Sequence, residues 1–233
     1  MLFRSPATIV MPADAPEKKM AATKALGAKV MTYDRMTQSR EEIAGKLAAE
    51  TGAVLVPSFD DPWVIEGQGS AAIEAAAQLH AATGCAPSHL VIPCGGGGLA
   101  SGCALALPGT PLSIVEPEGW DDMGASLRAG GIVPVQPNPP ATSCDALQTL
   151  RVADSTFNIL RAASVQGHAV TETEITHAMR IAMTSLGLVL EPGGAVALAA
   201  VLSGKVPAQE NMVVLLSGRN VDPAAYAARL GAS

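Results

Sequence analysis

Short apolar runs alternate along this chain with longer, Ala-rich stretches bounded by capping residues. The runs at 7–11, 29–33, 53–56, 89–93, 112–115 and 212–216 are β-branched or continuously apolar and read as strands. Between them, Asp14–Glu17, Ser39–Glu42 and Thr171–Glu174 have the spacing of a capping box. Their helices are expected to reach Gly27, Thr51 and Leu186. Further helices are predicted over 69–82, 100–105 and 193–202, and the Pro-rich stretch 134–140 reads as a loop. Apolar strands alternating with helices predict an α/β fold, a parallel sheet covered by helices on both faces. Asp60, Asp61 and Pro62 mark the predicted boundary between a small region, 1–60, and a large one, 61–233. Residues 1–5 fit nothing that follows them, and the natural protein is expected to start upstream.

Four consecutive glycines, Gly95, Gly96, Gly97 and Gly98, separate one of these strands from a helix. Residues without a Cβ let successive backbone N–H groups converge on one point and approach it closely. The helix that follows adds its unsatisfied N–H groups and the positive end of its dipole. Strand, glycines and helix in that order predict a phosphate cradle; the same run alone would serve as a flexible turn. Ligands of parallel sheets sit beyond the carboxyl ends of the strands. Glu116 and Ser217 also follow strands directly, so both can face the cleft that the glycines line.

Composition narrows the classes further. With 48% hydrophobic and 15% charged residues the chain suits a packed core rather than disorder. A net charge of −6 with scattered lysines and arginines offers no basic stripe for nucleic acid. No apolar stretch reaches the length of a membrane span, and no signal-peptide pattern opens the chain, so a cytoplasmic location is expected. Cys85, Cys94, Cys103 and Cys144 show no metal-type spacing with the four histidines and read as buried, reduced thiols.

Several segments together carry a resemblance. Thr8-Ile9-Val10-Met11-Pro12, Phe59-Asp60-Asp61-Pro62 with Gly67-Gln68-Gly69, and Pro93 with the tetraglycine and Leu99 come first. Val115-Glu116-Pro117-Glu118, Glu191-Pro192-Gly193-Gly194-Ala195 and Leu216-Ser217-Gly218-Arg219-Asn220 follow. In this order they resemble the fold-type II pyridoxal-phosphate enzymes, specifically the serine/threonine dehydratase and serine racemase group. The resemblance implies the small α/β domain in 1–60 and the cofactor-binding domain in 61–233, without the family's N-terminal segment. It implies that Gly95, Gly96, Gly97, Gly98 and Leu99 bind the phosphate of pyridoxal 5'-phosphate. Ser217 would hydrogen-bond the pyridine nitrogen, Arg40 would meet the substrate carboxylate and Thr149 the substrate hydroxyl. Phe59 would form pocket wall. Glu116, the Trp120 carbonyl and Asp122 match positions that hold Mg²⁺ in some members.

The implied reaction is L-serine/L-threonine ammonia-lyase chemistry on a small hydroxy amino acid, in a homodimer when complete. Serine racemase or hydroxyaspartate ammonia-lyase activity on the same scaffold is one alternative; a non-catalytic pyridoxal-phosphate or phosphate-binding module is another. Three departures stand out. Arg219 replaces a small residue, Pro57-Ser58 replaces His-Pro, and the Schiff-base lysine in a Ser-x-Lys-x-Arg-Gly context is missing. Lys18, Lys19, Lys24, Lys29, Lys46 and Lys205 all lack that setting. The chain alone is therefore expected to be inactive, with no catalytic residue assigned. No regulatory domain is expected after Leu230, and hence no feedback control by isoleucine.

Overall fold

Strand β3 (His89–Pro93) shows how a period of two builds the larger sheet of the computed structural model, which describes residues 5–231. Leu90 and Ile92 join one apolar cluster, with Leu112 and Ile114 of β4 (Leu112–Pro117); Val91 and Val115 join another. Alternate side chains therefore feed opposite faces. Strands β5 (Gln166–Val170), β4, β3 and β6 (Met212–Val214) lie side by side in that order, all parallel, with Val91 beside Ser113 and Val214.

Helices cover both faces. On one side, α8 (Glu172–Leu186) supplies Ile175, Met179 and Ala182, and α9 (Pro192–Leu202) supplies Ala195, Val196, Ala199 and Ala200. The many alanines let α9 lie close on the strands. On the other side, α4 (Ser70–Thr83), α5 (Gly98–Ala106), α6 (Asp122–Ala129) and α7 (Asp154–Ala162) contribute Ala72, Ala100, Cys103, Met123, Phe157 and Leu160. This is the parallel α/β fold that the pattern predicts.

The described residues form two compact units, one ending at Val56 and the other beginning at Pro57. The first holds β1 (Thr8–Pro12) and β2 (Lys29–Tyr33) in parallel, with α1 (Glu17–Ala25) and α2 (Arg40–Thr51). Three expectations need correction. Residues 53–56 form no strand: among the described residues they join no ladder, and Val54 is 88% exposed. Helix α1 has no side-chain cap; Pro16 stands at its N-cap, and Asp14 instead pairs with Arg35 at 2.9 Å. Cys85 is exposed, although Cys94, Cys103 and Cys144 are buried free thiols. The predicted boxes fare better at Thr171, where the reciprocal Glu174 bond is complete, and at Ser39, which accepts from the Glu42 amide.

Six elements escape the sequence reading: α3 (Pro62–Gln68), α6, a 3-10 turn (Asp145–Leu147), α7, β5 and α10 (Pro223–Gly231). Strand β5, Gln-Gly-His-Ala-Val, is a polar edge strand whose apolar period is too weak to see. The reading of residues 1–4 lies outside the described residues. No helix of the described chain is long and apolar enough to cross a membrane.

Candidate functional site

Strand β3 leads into the glycine run, while Glu116, expected just after a strand, lies within the carboxyl-terminal end of β4, paired with Ala169 of β5, and Ser217 stands three residues beyond β6. Gly97 is the N-cap of α5 with φ of 90°, a left-handed backbone that L side chains rarely adopt. A Cβ there would stand 2.7 Å from the Met123 Cε. Gly96 is closed in a different way: a Cβ would stand 2.3 Å from the Phe59 ring. The loop is thus built without side chains and is buried apart from half-buried Gly95. Thr156 of α7 fixes it, donating from Oγ1 to the Gly96 carbonyl at 2.8 Å. The first N–H groups of a helix have no intrahelical partner, and here they follow directly on that loop.

Thr149 belongs to the same neighbourhood, its Oγ1 standing 3.4 Å from where a Cβ on Gly95 would lie. Ser217 is exposed, three residues beyond β6. Glu191 stands beside it: its amide donates to the Gly218 carbonyl at 3.0 Å, and its carboxylate lies where a side chain on Gly218 would go.

Glu116 and Asp122 are both buried. The Glu116 carboxylate accepts from the amides of Met123, at 3.0 Å, and Gly124, at 2.8 Å. Burial pushes its carboxyl well above the usual range, and the neighbouring Asp122 adds to the rise. Burial pushes Asp122 up to about 7. Both Asp122 carboxylate oxygens lack a hydrogen-bond partner. The N–H groups of Asp122 itself and of Val152 oppose the rise electrostatically without reaching hydrogen-bond geometry. Trp120 is also buried and donates from Nε1 to the Pro140 carbonyl at 2.8 Å. No group of three or more His, Cys, Asp and Glu side chains converges for a metal among the described residues. An ion here would need the Trp120 carbonyl and water to complete its shell.

A glycine loop at the end of a core strand, with a hydroxyl three residues beyond the neighbouring strand, is the geometry against which the similarity of this chain to known proteins can be set. The sequence profile of the family described as "Pyridoxal-phosphate dependent enzyme" matches residues 2–218. The chain belongs to this family. It is 41% identical to L-threo-3-hydroxyaspartate ammonia-lyase of a Pseudomonas species, over 98% of this chain and 71% of that protein. Serine racemase of Schizosaccharomyces pombe is 35% identical, over 95% and 68% of the two chains. Among solved structures, the processed form of threonine deaminase isoform 2 from Solanum lycopersicum superposes with a TM-score of 0.82 at 31% identity, covering 98% of this chain and 67% of that one. The chain thus falls in the fold-type II group of pyridoxal-phosphate enzymes and spans about 70% of the length of these relatives.

For a family member, the cradle's chemistry fits the cofactor's phosphate: a loop closed to side chains, ending on a helix N-terminus. Arg40 belongs to the first unit. It opens α2, where its guanidinium meets the Glu41 carboxylate at 2.8 Å. Sequence reasoning missed Thr156 and gave Glu191 no role. Glu191 had a signal, an acidic residue in Glu-Pro-Gly-Gly at a helix start; Thr156 had none, because its part depends on which helix packs against the loop.

Proposed function

We propose that this chain carries the cofactor site of an ammonia-lyase that eliminates the β-hydroxyl of L-serine or L-threonine, giving a 2-oxo acid and ammonia. The supporting observation is the neutral hydroxyl of Ser217, three residues beyond the strand that pairs with β3, the strand leading into the glycine cradle. Pyridoxal phosphate, when bound, supplies the electron-withdrawing ring that stabilises negative charge at the substrate α-carbon. The backbone N–H groups of Gly95 to Leu99 hold its phosphate. Ser217 meets the ring nitrogen with a hydroxyl, which, unlike a carboxylate, does not favour a protonated ring. The weaker electron sink suits β-elimination, in which the departing hydroxyl relieves the charge. Thr149 orients the substrate hydroxyl from the segment beside Gly95.

A second reading, L-threo-3-hydroxyaspartate as substrate, is favoured by the names of two relatives at 41% and 40% identity. The test is release of ammonia and 2-oxo acid by the longest in-frame product of the gene. L-Serine and L-threonine should both react; faster turnover of L-threo-3-hydroxyaspartate would favour the second reading. D-Serine formed in excess of pyruvate would replace the lyase by a racemase. The 233-residue chain alone should release neither product, since none of its six lysines stands in the family's Ser-x-Lys-x-Arg-Gly setting.

Glu116, the Trp120 carbonyl and Asp122 are proposed to hold Mg²⁺, an ion that favours hard oxygen donors and retains waters. The unpartnered oxygens of Asp122 support this. Millimolar MgCl₂ should raise the melting temperature of the wild type and leave Asp122→Asn unmoved; an equal shift in both would remove the assignment.

A further inference from the structure

Glu172, the first residue of α8, gathers donors from two parts of the second unit, the 142–143 segment and α10. Its Oε1 accepts from the Thr142 hydroxyl at 2.7 Å and from the Ser143 amide at 3.1 Å. Its Oε2 accepts from the Ser143 hydroxyl at 2.6 Å and from the Arg229 guanidinium of α10. Burial alone would push this carboxyl up, but the bonds from Ser143, Arg229 and Thr142 outweigh it and hold it below the usual carboxylate range. Helix α10 has a second tie to α8, from the Arg180 Nε to the Leu230 carbonyl at 3.0 Å.

The segment that Glu172 holds runs on into the cradle. Thr142 accepts from the Cys144 amide at 3.1 Å, Cys144 is buried, and a single 3-10 turn, Asp145–Leu147, follows. Leu147 is a wedge. Its Cα stands 3.3 Å from where a Cβ on Gly95 would be, and its Cγ 3.3 Å from one on Gly193. On one side it walls the glycine run; on the other it touches the start of α9, two residues from Glu191 and its Gly218 contact.

We propose that Glu172 is a positioning residue: with Arg229 it clasps the 142–149 segment against the glycine cradle, coupling the docking of α10 to phosphate affinity. The inference rests on the cradle reading above and adds to it a route from the C-terminal helix to the site. Coupling of this kind is reciprocal, so a filled cradle also tightens the clasp.

The test uses the full chain, with pyridoxal 5'-phosphate as probe, in the wild type and in Glu172→Gln, Arg229→Ala and Arg229→Lys. Hydrogen exchange is measured on the free proteins and cofactor affinity by equilibrium dialysis. Glu172→Gln and Arg229→Ala should speed exchange at 142–149 about tenfold and weaken the cofactor by about 5- to 20-fold, whereas Arg229→Lys, which keeps the charge, should recover most of both. Arg229→Ala alters only the α10 end of the clasp, so it serves even if Glu172→Gln folds poorly. Unchanged exchange at 142–149 in Arg229→Ala overturns the clasp. Faster exchange with wild-type affinity overturns the coupling while the cradle reading stands. A wild type that binds no cofactor overturns both.

Discussion

The two sheets of this protein are built from runs of similar apolar content and end in opposite states. In the second unit every residue of β4 is buried, and β3 is buried from Leu90 onwards. In the first unit β1 has no buried residue, Ile9 is 39% exposed, and neither α1 nor α2 contributes a buried side chain. Residues 53–56, Ala-Val-Leu-Val, are as apolar as any strand in the chain and lie outside both sheets. An apolar run therefore reports a demand for cover; it becomes a buried strand only where a ladder partner and a helix on each face meet the demand.

A pair of matched truncations sharpens this contrast most. Ile114→Ala removes a side chain with no exposure at the centre of the four-stranded sheet and should cost about 2–5 kcal/mol. Ile9→Ala in the two-stranded sheet should cost under about 1 kcal/mol, because much of that side chain already faces water. Urea unfolding followed by circular dichroism reads both. Equal losses would mean that the first unit holds its apolar surface as tightly as the second.

The same contrast explains what could be read in advance. The strands of the larger sheet were legible because Leu90, Ile92, Ile114 and Val115 are apolar on both faces, the signature of a covered parallel strand. The closed loop between β3 and α5 was legible because glycine has few reasons to occur four times in succession. Strand β5 was hidden by Gln166, Gly167 and His168, which an edge position tolerates. Helix α7, with Phe157 and Leu160 on its buried side, carried a readable period that went unused. The Glu172 contacts could not be seen at all: Thr142, Glu172 and Arg229 are distant in sequence, and only the folded chain brings the 142–143 segment and α10 to the start of α8.

A second test addresses the glycine run itself. Gly97→Ala must hold an L side chain at φ of 90° and place its Cβ 2.7 Å from the Met123 Cε. The backbone conformation alone costs about 1–3 kcal/mol. If the loop relaxes to relieve this strain, its N–H groups no longer converge, and cofactor affinity should fall about tenfold or more. Gly52→Ala makes the control in the first unit, since that glycine has a similar φ of 70° but nothing within 4 Å of its would-be Cβ. It should lose stability with no loss of affinity. Equal effects on affinity would show that the cradle does not depend on local closeness.

The smallest expected effect concerns pH and belongs to the second unit alone, because all four histidines, His80, His89, His168 and His177, lie after residue 57. Across β3, β4 and β5, the Ser113 hydroxyl stands 3.0 Å from the His89 Nε2 and 3.2 Å from the His168 Nε2, while the Gln209 amide reaches the His89 Nδ1 at 2.9 Å. With the Gln209 amide donating, His89 donates from Nε2 to Ser113, whose own proton goes to His168; both rings are then neutral. Burial lowers the pKa of both histidines, and His89, Arg128 and Lys205 lower that of His168 further. The unfolded chain, with ordinary histidines near pH 6.5, then binds more protons than the folded one. Stability from this relay is complete above about pH 6.5 and is lost as pH falls through the lower folded values. His168→Gln keeps an acceptor for Ser113 without a titrating ring. Between pH 7.5 and 5.5 its melting temperature should fall less than that of the wild type, by about 2 °C. Parallel slopes in the two proteins would show that the ring is as easily protonated in the sheet as in water, and the second unit would lose this distinction from the first.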